Sequence, residues 1–427
     1  SRIFMLDRKF IRNDPEALRR GIENKGVDFD LDLLYQLDKD RRRIIQESED
    51  LKHSKNVVSK EIAQLKKNQK DASELIDRMK GTSKRIKEID NELKDVSDKL
   101  HEMELAIPNL PHKSVPIGNS EQDNILIRSW GDPFRNDLEI APHWEIGEEL
   151  GLLDLKAGSA VSGSGFVVLR GDGALLSRAL INFMLDTHRA HGYEEVSVPY
   201  MVSRDSMIGT GQLPKMAEDM YHCETDDLYC IPTAEVPITN LLRETVLPAD
   251  KLSIKLTAYS PCFRREAGSY GKDTRGLIRV HQFDKVEMVK AALPEESYQE
   301  LELLLDDACR VLEALDIPYR VVELCSGDLS FSAAKCYDIE TYAPAISKWL
   351  EVSSCSNFED FQARRAGIKF RRGKGEKSQF VHTLNGSGLA LPRIIATIFE
   401  LYQTPTGRIR VPEALVKYMG GREYLEG

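Results

Sequence analysis

No stretch of the 427 residues approaches the ~18 consecutive apolar residues that a membrane-spanning helix requires, so no membrane span is expected. Cysteine is scarce. The seven thiols, at 223, 230, 262, 309, 325, 336 and 355, form an odd set with no CxxC pair. That argues against a disulfide framework and, with no secretory leader ahead of them, points to free or buried thiols in a cytoplasmic protein. His222, Cys223 and Cys230 match no common zinc spacing. The usual nucleotide signatures are missing too: Gly163-Ser164-Gly165 meets Val168 where a third glycine belongs, and Gly373-Lys374 lacks the glycine five residues upstream. If ATP is used, it is bound another way. Basic charge is not in excess either, since 59 Lys and Arg stand against 69 Asp and Glu, a net charge of -10 that argues against indiscriminate coating of nucleic acid. The four residues ahead of Met5 are expected to lie outside the natural chain.

Proline is absent from residues 32 to 105, and Gly81 is the one glycine there. In that space the hydrophobic period is seven. Leu37, Ile44, Leu51, Val58 and Leu65 form one row, with Leu34 and Ile62 at the ends of a companion row. Met79, Ile86, Leu93 and Leu100 repeat the pattern, flanked by Leu75, Ile89, Val96 and Met103, with Thr82 at the missing step. The polar run Lys66 to Asp71 is short enough for a tight reversal, which predicts two antiparallel helices on the order of 50 Å long at 1.5 Å per residue. Residues 41–100 hold 16 basic against 12 acidic side chains, a basic segment on an acidic body. A dimerising coiled coil with a solvated charged face fits this pattern as well as a surface for phosphates does. Ahead of it, Asp14-Pro15-Glu16 is a helix start and Gly26 a stop.

Pro108, Pro111, Pro116 and Gly118 mark a linker. Beyond it, strand-like runs (Glu195 to Val202, Leu277 to Val289) mix with helical ones (Ala174 to His191) without strict alternation, which predicts an α+β domain on a largely antiparallel sheet. The richest segment runs from Ser260 to Glu266, through a glycine-bearing loop from Ala267 to Gly276, to Leu277–Glu287. As a hairpin of two extended flanks, it would place Arg279, His281, Phe283, Lys285 and Glu287 on one face, and Arg264 with Glu266 on one face of the first flank while Arg265 points away. Such a set suits an anionic, aromatic ligand, with guanidinium forks for phosphate and Phe283 for a purine. A solvated face of cross-strand ion pairs is the plainer alternative.

Phe263-Arg264-Arg265-Glu266 and its returning strand resemble motif 2 of the class II aminoacyl-tRNA synthetases. Gly192 to Pro199, preceded by a helix bearing Leu176, Leu180, Phe183 and Met184, resembles motif 1, and Asn385 to Arg393 resembles motif 3, departing from it at Pro392. Within the class, Gly211 to Lys215, Pro232 to Glu235, Glu351 to Asn357 and Phe361 to Arg365 are similar to the seryl-tRNA synthetases, in the family's order from Met5 onward.

The resemblance implies a tRNA-binding helical hairpin in residues 1–110 and a class II catalytic domain, an antiparallel sheet flanked by helices, in residues 111–427. It implies ATP-dependent attachment of L-serine to tRNA(Ser), and to tRNA(Sec) where one is present, through seryl-adenylate with release of pyrophosphate and AMP. Arg264, Glu266 and Arg393 are the implied catalytic residues. ATP would also meet Arg265, Arg279, Phe283, Glu351, Val352, Ser353 and Ser354, with Glu351 and Ser354 holding Mg²⁺. Serine would meet Thr233, Ala234, Glu235, Glu287, Asn385 and Ser387. A homodimer through the motif 1 helix is implied as well. The other readings are a non-charging relative or an amino acid:carrier-protein ligase; the first would be expected to lose the phosphate arginines or the Mg²⁺ carboxylate, the second the long arm, and this chain keeps all of them.

Overall fold

The computed structural model describes residues 8–134, 138–267 and 275–426. The four residues ahead of Met5 and most of the 267–276 loop lie outside the described residues. The chain divides into two compact units, one of residues 28–107 and the other of residues 1–27 with 108–427.

The first unit is the heptad segment. Helices α2 (Leu31–Lys67) and α3 (Ser73–Ala106) pair along their length, after α1 (Pro15–Asn24) in the other unit. Ile44, Ile62, Ile86, Ile89 and Leu100 are buried in the seam, and Leu37, Leu51, Val58, Leu65, Met79 and Leu93 half-buried. The narrow stripe expected from a two-helix seam is therefore what forms. Asp30 caps α2 by accepting from the Leu33 N–H, and Gln69 takes a positive φ (54°) in the reversal. Lys52 to Asp90 (2.9 Å) and Arg85 to Glu47 (3.0 Å) bridge the two helices at the surface.

In the second unit, α1 starts at the predicted place, with the Asp14 carboxylate accepting from the Ala17 N–H. Lys25 fixes this N-terminal segment. Its buried ammonium donates to the carbonyls of Ser330 (2.7 Å), Phe331 (3.1 Å) and Ala333 (2.8 Å).

The body is built on an eight-stranded sheet. Its strands are β1 (Ile125–Trp130), β2 (Glu194–Glu195), β3 (Ile254–Phe263), β4 (Gln282–Ala292), β5 (Tyr319–Glu323), β6 (Lys335–Ala343), β7 (Lys348–Asn357) and β8 (His382–Ala390). They lie in the order β1-β5-β6-β7-β8-β4-β3-β2, antiparallel throughout except at the β2 edge. Among the helices are α4 (His143–Glu149), α5 (Gly171–Ala190), α6 (Ser297–Ala314), α7 (Phe361–Ala366) and α8 (Leu391–Leu401). Leu176 and Leu180 of α5, Leu301 and Leu304 of α6, and Ile394 and Ile398 of α8 pack on Val286, Met288, Ile339 and Leu384 in one apolar core. Since side chains alternate along β4, burying Val286 and Met288 under the helices turns Phe283, Lys285 and Glu287 to the opposite face.

Two expectations need correction. The returning flank of the hairpin is extended only from Gln282, because residues 277–281 form turns, and the first flank ends at Phe263. Strand alternation therefore does not place Arg279, His281 or Arg264. His281 leaves the expected face: its N–H donates to the Gly165 carbonyl (2.9 Å), its Nδ1 lies 3.0 Å from the Arg264 carbonyl, and its ring lies against Phe166. The run expected from Glu195 to Val202 is likewise two short strands, Glu194–Glu195 and Met201–Ser203.

Candidate active site

A cleft on the uncovered face of β4, β7 and β8 gathers most of the candidate residues. Arg264, Glu266, Arg279, Phe283, Lys285, Glu351, Val352, Ser387 and Arg393 line it, and an adjoining cavity of about 800 Å³ carries Glu351, Ser354, Arg279 and Arg393 onward to Asp338 and Glu340. The Arg264 guanidinium lies over the Phe283 ring, 5.2 Å from its centroid, and its Nε donates to the Pro232 carbonyl (3.3 Å). Glu266 accepts from Arg279 Nη1 (2.9 Å). Glu266 itself has a positive φ (51°), three residues past the end of β3. Arg265 goes the other way: its guanidinium covers Tyr221 (5.7 Å) and its N–H meets the Asp219 carbonyl. Arg393, in the first turn of α8, donates from Nη1 to the Glu351 carbonyl (2.7 Å) and from Nε to the Ile278 carbonyl (3.3 Å).

The inner end of the cleft is a buried polar cluster. Glu287 accepts from Thr233 Oγ1 (3.0 Å) and Asn385 Nδ2 (3.2 Å), and Lys285 Nζ reaches both Glu287 (2.5 Å) and Thr233 (2.9 Å). Glu235 lies beside them, held by Gln362 Nε2 at 2.6 Å. Burial, reinforced by the negative Glu287 and only partly offset by Gln362 and Lys285, pushes the Glu235 carboxyl up to about 7. Gln362 cannot turn, since it also donates to the Thr210 carbonyl (3.1 Å) and accepts from Thr383 (2.8 Å). An excess of buried acceptors around one lysine suits a ligand that brings its own cation and hydroxyl.

Some candidates serve as supports. Ala234 packs in an apolar cluster with Val198, Ile238 and Val289, and Val352, although it borders the cleft, is part of the main core. Ser353 is buried and donates to the Ser387 carbonyl (2.6 Å), tying β7 to β8. Sequence reasoning missed Gln362 and Asp338 and gave Lys285 no role of its own. Gln362 lies within a segment already noted for its resemblance, and Lys285 on the expected face. Asp338 had no signal, because it comes opposite Ser354 only through the β6–β7 register, which shifts at the bulge between Ile339 and Glu340.

Among the described residues, no group of three or more His, Cys, Asp or Glu side chains could hold a metal by itself. Glu351, Ser354 and Asp338 still fit Mg²⁺ as part of a shell: they are hard oxygen donors, and the Asp338 carboxyl is pushed well above its usual range by burial and by the charge of Glu351. A divalent cation held there would offset the negative charge of the site.

Residues 221–402 match the family described as the tRNA synthetase class II core domain (G, H, P, S and T), and residues 5–111 the seryl-tRNA synthetase N-terminal domain. The serine–tRNA ligase of Geobacillus kaustophilus is 55% identical over 99% of this chain and 100% of its own length, and that of Caldicellulosiruptor saccharolyticus 57% identical over 97% and 99%. The crystal structure of seryl-tRNA synthetase from Pyrococcus horikoshii complexed with ATP superposes with a TM-score of 0.90 at 36% identity, covering 99% of this chain and 100% of that one. Sheet, cleft and matches together define a class II aminoacyl-tRNA synthetase. The N-terminal match and the full-length identities go further, and the chain belongs to the seryl-tRNA synthetase family. Its activity is ATP-dependent charging of tRNA with serine, and the carrier-protein and non-charging readings are not favoured.

Proposed function

We propose that the two ends of the cleft divide the reaction between them. The observation that carries this reading is the junction at Lys285, where the arginine-lined outer cleft meets the buried Thr233, Glu235 and Glu287 cluster. Serine binds at the inner end, its ammonium against Glu235 and Glu287 and its hydroxyl among Thr233, Asn385 and Ser387. ATP lies in the outer part, its adenine on Phe283 and its phosphates between Arg264 and Arg393, with Arg279 paired to Glu266 at the rim.

The serine carboxylate attacks the α-phosphorus, the bond to the bridging oxygen breaks, and pyrophosphate leaves. The attacking group is already an anion, so no base is required. The protein positions both reactants and meets the charge that gathers on the phosphoryl oxygens with Arg264. A hydroxyl at the tRNA 3′ end then takes the seryl group and AMP departs. Mg²⁺, when bound, supplies positive charge at the phosphates, and Glu351 and Ser354, with Asp338 beside them, would hold it.

A pocket built to bond a hydroxyl disfavours alanine, which would leave those groups unpaired. Residues 1–110 act as the tRNA-binding arm and 111–427 as the catalytic domain. The tRNA is tRNA(Ser), with tRNA(Sec) a second substrate where a cell has one. The chain works in the cytoplasm as a homodimer, and the half-buried apolar residues Ile181 and Leu185 of the motif 1 helix α5, with the exposed Val161, border a broad second cavity that suits the contact. Amino-acid-dependent exchange of pyrophosphate into ATP tests the central claim: serine alone should drive it among the twenty amino acids, and equal exchange with threonine, alanine or proline would refute the reading.

A further inference from the structure

Where the chain returns from the long loop between β3 and β4, it crosses the start of α4. The Arg275 guanidinium lies over the Trp144 ring (5.9 Å). Gly276 has φ +64°, and a Cβ there would come within 2.3 Å of His143 Nε2. Only glycine fits. The Leu277 N–H then donates to His143 Nε2 (3.1 Å).

The other side of the same imidazole faces α8. His143 Nδ1 lies 2.9 Å from Glu400 Oε1, the His143 N–H donates to that oxygen (3.2 Å), and the second oxygen accepts from the Ala345 N–H (3.1 Å). Both side chains have no exposed surface. Since Nε2 accepts from a backbone N–H, the ring proton belongs on Nδ1, where Glu400 receives it. Glu400 and Arg393 share one helix, two turns apart, and Arg393 Nε donates to the carbonyl of Ile278, the residue after Leu277. The contacts close a circuit: Arg393 to Ile278, Leu277 to His143, His143 to Glu400, and back along α8. Both Leu277 and Ile278 line the cleft.

We propose that His143 and Glu400 are positioning residues for the reaction, locking the returning segment 275–279 to α8 so that Arg279 and Arg393 are held in register over the triphosphate. This rests on the reading that the cleft takes ATP. Neither residue touches the cleft, so the effect passes through the backbone of Leu277 and Ile278, and it should fall on ATP and spare serine, whose partners stand on β4, β8 and the 233–235 segment.

The test uses the full chain, pyrophosphate exchange with ATP and serine varied in turn, and thermal unfolding. His143→Asn keeps a donor for Glu400 at the Nδ1 position but loses the acceptor for Leu277; His143→Gln places a carbonyl oxygen near Nε2 and loses the donor. The expected result is a split. His143→Asn lowers kcat/KM for ATP about tenfold or more with serine KM within about twofold of wild type. His143→Gln keeps the acceptor for Leu277 but gives up the Nδ1 bond that ties it to Glu400 on α8, so it also lowers kcat/KM for ATP with serine KM within about twofold of wild type, and its Tm falls further because a buried carboxylate has lost its partner. Equal effects on both substrates, or unchanged ATP kinetics in His143→Asn, would overturn the proposal. Should His143→Gln not fold, Gly276→Ala replaces it: it displaces Leu277 from the other side and must weaken ATP in the same way, and unchanged ATP kinetics there overturns the proposal equally. If the wild-type chain shows no serine-dependent exchange, the reading of the cleft fails instead, which is a distinguishable result.

Discussion

Adjacent arginines at 264 and 265 do different work because their guanidinium groups meet different partners. The Glu266 carboxylate meets Arg279 in the cleft, while Arg264 lies on Phe283 and Arg265 is directed to Tyr221. Arg264→Ala should therefore remove a transition-state contact worth roughly 3 kcal/mol, about a hundredfold in kcat, in pyrophosphate exchange. Arg265→Ala should cost far less, and comparable losses at both would show that the two guanidinium groups share the phosphate. Glu235 gives a test by pH. Its carboxyl sits near 7 in the folded chain against an ordinary 4.5, so it binds its proton more tightly folded than unfolded. Without ligand, stability should fall as pH rises from about 4.5 to about 7. The serine ammonium favours the ionised form, so serine KM should drop as pH rises through 7, by at most about tenfold per pH unit below it. Glu235→Gln should raise serine KM and flatten that dependence, and a dependence that survives the substitution would place the titration elsewhere.

Elements differ in how far the sequence reveals them. The two long helices are legible because heptad burial is a local property: Ile44, Ile86 and Leu100 repeat at fixed spacing whatever lies elsewhere in the chain. The start of β4 is not. It falls at Gln282 because residues 277–281 are held by distant groups, Leu277 by His143 and His281 by Gly165 and Arg264, and apolar alternation through Leu277 and Ile278 carries no trace of those bonds. The cleft residues Arg264, Phe283, Glu287, Glu351 and Arg393 were legible through resemblance, whereas Asp338 depends on the register of two strands. Gly388 shows a similar non-local demand. A Cβ there would come within 2.2 Å of Nε2 of buried His188, which also bonds the Gly388 carbonyl (3.1 Å), so α5 can approach β8 only over a glycine. Gly388→Ala should destabilise by roughly 1–3 kcal/mol through overpacking, read as a lower denaturant midpoint, and should raise serine KM by shifting the neighbouring Ser387. An unchanged midpoint would mean that His188 can move aside.

At the scale of the whole chain, the division falls between residues 28–107 and everything else, and the two chain segments that flank the arm belong to one compact unit. That arrangement predicts that the arm can be removed without unfolding the body. Replacing residues 38–102 with a short Gly/Ser linker should leave the cleft intact, because Arg264, Glu287, Glu351 and Arg393 and the partners that fix them all lie beyond residue 108. Serine-dependent pyrophosphate exchange should persist with ATP and serine KM near the wild-type values. Transfer of serine to tRNA should collapse, since the segment with 16 basic against 12 acidic residues would no longer supply its share of the phosphate contacts. The full-length chain gives the control: its KM for tRNA should rise steeply with salt as counterion release becomes less favourable, while its KM for serine changes little. A truncated chain that charges tRNA with unchanged KM would reduce the two helices to an association device, and a truncated chain that loses pyrophosphate exchange as well would show that the catalytic unit needs the arm to fold.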